Sequence, residues 1–102
     1  MSSGPFFIRA FYKPNVPNET ISAHVQQLQN EGALISENYF IEEHIPENER
    51  GYVCQINSIH ELRPFYTSFA SFLAKVIPQG PVPQEALGVI QSNITHAIAQ
   101  HQ

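Results

Sequence analysis

Apolar positions along this chain recur at two spacings, and each spacing assigns an element. Phe6-Phe7-Ile8-Arg9-Ala10-Phe11-Tyr12 is dense in aromatic and β-branched residues and predicts a first strand. Lys13-Pro14-Asn15-Val16-Pro17-Asn18 breaks it with two prolines and two asparagines. Ile21, Val25 and Leu28 then recur at helical spacing, with Asn18 as the expected N-cap, Glu19 in the first turn and Gly32 as the stop. His24 stands beside that apolar stripe. Leu34-Ile35 open a second strand expected to run through Tyr39-Phe40-Ile41, and a polar connection follows from His44 to Gly51.

Tyr52-Val53-Cys54-Gln55-Ile56 predicts a third strand, with Tyr52, Cys54 and Ile56 on one face. Ser58-Ile59-His60-Glu61 matches a capping box, Ser58 as cap and Glu61 reaching back. Leu62, Phe65, Tyr66 and Phe69 continue a helical face, which Pro64 shortens, kinks or re-phases. Phe72 to Ile77 fits either helix or strand; Pro78 and the β-branched Val76-Ile77 favour a fourth strand. After the breaker Gln79-Gly80-Pro81-Val82-Pro83, a last helix carries Leu87, Ile90, Ile94, Ala97 and Ile98 on one stripe. The expected organisation is a single α+β domain over 1–102, with a core of about 5–78 and a C-terminal helix of about 83–100.

Composition narrows the function classes. The 42% apolar content supports a core. Net charge is −4, and Arg9, Lys13, Arg50, Arg63 and Lys75 are scattered, which argues against nucleic acid and against an anionic membrane surface. The single cysteine, Cys54, permits no intrachain disulfide, and no signal-peptide pattern is seen, so the expected location is cytoplasmic. No metal-ligand spacing, phosphate loop, nucleophile elbow or CxxC is present, and no cofactor is expected.

The order β-α-β-β-α-β with an added helix is the ferredoxin-like arrangement. At three segments the chain resembles the dimeric α+β barrel superfamily, and within it muconolactone-isomerase-like proteins. These are the first strand leading into Lys13-Pro14, the helix end Leu28-Gln29-Asn30-Glu31-Gly32, and Gly51-Tyr52-Val53-Cys54-Gln55-Ile56-Asn57-Ser58 leading into the Glu61 cap. The resemblance covers roughly residues 5–78 and holds no catalytic signature. It implies a homodimer with two sheets packed face to face and a small cavity between each sheet and its helices.

Candidate chemistry is sparse. His24 could act as a general base at a cavity, or sit as a boundary histidine bonded to backbone. Arg9 interrupts an apolar strand; it either packs its stem at a surface or holds a carboxylate, with Glu37 the internal candidate and a ligand anion the alternative. Tyr52 completes the catalytic candidates, and Phe7, Phe11, Tyr39 and Tyr66 form a candidate apolar pocket with tyrosine hydroxyls as polar handles. His44 reads as part of a solvated turn and His60 as exposed; His96 and His101, five apart, share no helical face and make no pair; and Cys54 reads as a small buried apolar side chain. The expected function is a small-molecule-binding homodimer for an apolar or anionic ligand, as a cofactor-free isomerase or monooxygenase relative. The alternative is a non-catalytic interaction or regulatory module using the acidic surface or the C-terminal helix.

Overall fold

The computed structural model describes residues 5–38 and 44–101. Its strands are β1 (Phe6–Tyr12), β2 (Leu34–Asn38), β3 (Gly51–Ile56) and β4 (Leu73–Pro78). They form one antiparallel sheet in the order β2-β3-β1-β4. Helix α1 (Asn18–Asn30) links β1 to β2. A 3-10 turn (Ile59–Leu62) running into α2 (Arg63–Thr67) links β3 to β4. Since every pairing is antiparallel, β1 and β2 run parallel with β3 between them, and β3 and β4 run parallel with β1 between them. The architecture is α+β.

Alternation along β1 sorts its side chains. Phe6, Ile8, Ala10 and Tyr12 join one buried cluster with Tyr52, Cys54 and Ile56 of β3, Leu73 and Val76 of β4, and the apolar faces of the helices. Phe7, Arg9 and Phe11 therefore belong to the opposite face of the sheet, away from the helices. Gly51 is the tightest point. Its Cα pairs with Phe11, and a Cβ there would fall on the Ala10 carbonyl oxygen. Only glycine lets β1 and β3 approach at this place.

Helix α1 starts one residue before the position expected from its cap. Pro17 is the N-cap, Asn18 is already helical, and no side chain caps the end. The fixed φ of proline suits that role. The C-terminus follows expectation. Gly32 has φ +91°, Ala33 N–H donates to the Leu28 carbonyl and Gly32 N–H to that of Gln29, the paired bonds of a Schellman motif.

The Ser58 cap also forms, with Ser58 Oγ accepting from His60 N–H at 3.3 Å. Glu61 reaches one residue further back than a capping box requires, accepting from Asn57 N–H at 3.3 Å. Pro64 follows the 3-10 turn and stands in the first turn of α2, where a missing N–H costs nothing.

Phe72–Ile77 resolves as strand, shifted by one residue to Leu73–Pro78. A bulge explains its mixed signal. Tyr12 pairs with Leu73 but Phe11 with Lys75, so Ala74 is the extra residue and Leu73 and Val76, three apart, are both buried in the core. A second bulge lies in β2 at Ser36, between the pairs Ile35–Cys54 and Glu37–Val53. The part of the expected second strand from Tyr39 to Ile41 lies outside the described residues.

The C-terminal helix is continuous over 84–100 but changes pitch, as α3 (Gln84–Val89), a π turn (Ile90–Ile94) and α4 (Thr95–Gln100). Its buried residues Ala86, Ile90, Ile94 and Ile98 are each four apart. At about 100° per residue a strict four-residue spacing drifts about 40° per step, so three steps would carry Ile98 well round the helix. The wider π turn takes up part of that drift and keeps the stripe on the core. Thr95 Oγ1 donates to the Ile90 carbonyl at 2.9 Å inside this turn. At the far end Lys13 Nζ donates to the His101 carbonyl at 2.6 Å, placing a cation on the negative pole of the helix.

Candidate functional site

Two of the three catalytic candidates meet. His24 projects from α1 and Tyr52 from β3, with His24 Nε2 and Tyr52 Oη 3.2 Å apart. Around them stand Tyr12, Phe65, Phe69 and Phe72. The His24 ring meets Phe69 edge-on at 4.3 Å between centroids, with Phe72 at 5.4 Å and Tyr12 at 5.7 Å. His24 is only 3% exposed. His24 Nδ1 and Tyr12 Oη, both buried, have no hydrogen-bond partner among the described residues.

Electrostatics keeps this cluster neutral. Burial lowers His24 from its ordinary 6.5 to about 4. Burial likewise pushes the Tyr12 hydroxyl up, and it pushes Tyr52 up with help from Tyr12 and Cys54. The arrangement with the fewest unmade bonds has the Tyr52 hydroxyl donating to Nε2 and the imidazole proton on Nδ1. The reverse tautomer would strand the tyrosine proton as well as the Nδ1 lone pair. The pair is thus a closed polar contact inside an aromatic shell.

Arg9, the third candidate, lies on the other side of the sheet. Its guanidinium stands 4.6 Å from the Phe11 ring centroid, and Lys75 Nζ is at 4.6 Å from the same ring. In register, Arg9 pairs with Val53 and Val53 with Glu37, so Glu37 occupies the same row two strands away. The expected pocket set is dispersed. Phe7 and Phe11 are on the sheet face away from the helices, Tyr66 lines a polar surface groove of about 380 Å³ with Ser92, Asn93, His96 and Gln100, and Tyr39 lies outside the described residues. His96 Nε2 accepts from Gln100 Nε2 at 3.1 Å. His44, His60, His96 and His101 are exposed.

A concave site between helices and sheet is a cleft of about 180 Å³ where the end of α1, β3 and the start of α2 converge. Leu28, Ala33, Ile56, Pro64 and Phe65 give it apolar walls. Cys54 stands in its lining, and the charged residues there are Glu31 and Glu61. Burial, and after it the charge of Glu61, push the Cys54 thiol up to about 12, so it stays protonated and unreactive at neutral pH. Phe65 links the two places. It lines the cleft, and its ring centroid is 6.4 Å from Tyr52 and 5.6 Å from Phe69.

Glu31, Glu61 and Tyr12 were not among the site residues expected from the sequence. Both acids sit at helix ends, where local capping explains them, and only the tertiary fold brings Gly32 and the Ser58 cap to one cleft. Tyr12 was legible in principle, because it shares the face of Ile8 and Ala10. Among the described residues no group of three or more His, Cys or Glu could hold a metal ion, and no helix is long and apolar enough to cross a membrane. Compared with family models, with curated proteins and with solved structures, the chain has no significant match to any of them.

Proposed function

We propose that this chain is a small-molecule-binding protein of ferredoxin-like topology, acting as a homodimer in the manner of the dimeric α+β barrels. The observation that carries the reading is the cleft over β3. It is concave, mostly apolar and supplied with a few polar groups, the usual composition of a ligand site. Its volume of about 180 Å³ suits a compact ligand, since a cavity of about 150 Å³ accepts benzene. The strand order supports the ferredoxin-like part. The dimer rests on the resemblance and on the sheet face opposite the helices, where Ile77 is exposed and Phe7 half-buried.

In an enzymatic form of this reading, as a cofactor-free isomerase or monooxygenase, His24 and Tyr52 are the groups able to move a proton. Both are buried and neither lines the cleft, so turnover requires aromatic side chains to move and admit substrate to the imidazole. The groove beside the π turn favours a second reading, a non-catalytic module that docks a partner on the C-terminal helix.

The deciding experiment is a titration of the labelled protein with small aromatic compounds, followed by amide NMR, alongside native mass spectrometry. The cleft reading expects shifts centred on Leu28, Ala33, Ile56 and Phe65, their loss in Ala33→Phe, and a dimer mass. Shifts confined to Ser92–Gln100 would favour the docking module. A monomer would remove the barrel part of the proposal.

A further inference from the structure

Building on the cleft reading above, we infer that the ligand class is a small organic amine, its apolar body against Ile56 and Phe65 and its ammonium toward the Glu31 and Glu61 carboxylates. Every charged residue lining the cleft is an acid, and none of Arg9, Lys13, Arg50, Arg63 and Lys75 lines it. An anion would enter with nothing in the lining to neutralise it. A neutral ligand would bring no counter-charge to either carboxylate.

The backbone fixes where those charges sit. Glu31 is the C-cap of α1, held by the Schellman bonds, and the last turn of that helix holds no basic residue. The negative end of a thirteen-residue helix therefore adds to the Glu31 charge instead of offsetting it. Glu61 is tethered through Oε1 by its bond to Asn57 N–H, which leaves its second oxygen to meet a ligand. The charge of Glu61 is also felt at Cys54 in the same lining, where it helps keep the thiol protonated. Protonated in this setting, the thiol offers a ligand no nucleophile.

The test is an amide NMR titration with three probes of matched shape: 2-phenylethylamine, 2-phenylethanol and phenylacetate. For a ligand of this size, amine binding on the order of millimolar is expected. The expected order is amine tightest, alcohol weaker and phenylacetate absent, with amine binding weakening as salt rises. Glu31→Gln and Glu61→Gln should each weaken the amine by about two- to fivefold and leave the alcohol unchanged. Both positions are exposed, and the side-chain amide in Glu61→Gln retains an oxygen for the Asn57 N–H, so the fold is kept.

If amine and alcohol bind equally, or the Gln variants bind the amine normally, the amine inference falls and the cleft reading stands. If none of the three shifts the cleft amides, both fall. If Ala33→Phe still binds the amine, the site is elsewhere and the inference is overturned.

Discussion

Acidification should destabilise this protein through His24. The unfolded chain takes a proton on this residue near 6.5, and the folded chain only near 4. Between those values the unfolded state binds more protons, so stability falls as pH drops through that window and the loss levels off below it. The magnitude follows from the two values. At pH 5 the linkage amounts to about 2 kcal/mol relative to pH 8, and its limit is about 3 kcal/mol.

The groups facing the imidazole are Tyr12, Tyr52, Phe69 and Phe72, none of them a carboxylate that could stabilise the imidazolium. Urea unfolding followed by circular dichroism at pH 8 and pH 5 measures the difference directly. His24→Gln is the control, since its amide can still reach Tyr52 and does not titrate. The wild type should lose about 2 kcal/mol and the variant much less. Equal loss in both proteins would refute the argument and move the acid sensitivity to other groups.

Gly51→Ala should cost more than about 2 kcal/mol or prevent folding, because the new methyl falls on the Ala10 carbonyl; denaturant titration measures it. Cys54 should resist iodoacetamide in the native state at pH 8 and react once urea unfolds the chain, as mass spectrometry would show; rapid native labelling would contradict its burial. Lys13→Met should lower stability by about 0.3–1 kcal/mol by removing the cation from the end of the C-terminal helix, with amide exchange quickening first in residues 98–101.

Local signals in the sequence were legible wherever one residue decides one bond. Gly32 and the Ser58 cap are of this kind. The signals blurred where the backbone departs from a single period. Leu73 and Val76 are three apart because Ala74 bulges, which gives a strand the spacing of a helix. Leu87, Ile90, Ile94, Ala97 and Ile98 suggest an ordinary amphipathic helix, yet Ala86 is buried in place of Leu87 and the strict four-residue spacing is accommodated by a π turn. The candidate site was half legible. His24 and Tyr52 belong to apolar faces that must meet, so their contact follows from the fold. Glu31 and Glu61 are far apart in the chain and gain a joint meaning only once α1 and the 3-10 turn close over β3.

The two bulges have a consequence for how copies of this protein can meet. Each lies in an outermost strand, at Ser36 in β2 and Ala74 in β4. An incoming strand needs a flat row of free amides and carbonyls to extend a sheet. Among the described residues β2 offers five positions with a kink among them. β4 carries a kink, a lysine at Lys75 and, at Pro78, a residue with no N–H to give. Among the described residues, both borders of the sheet therefore carry features that disfavour edgewise addition of another strand.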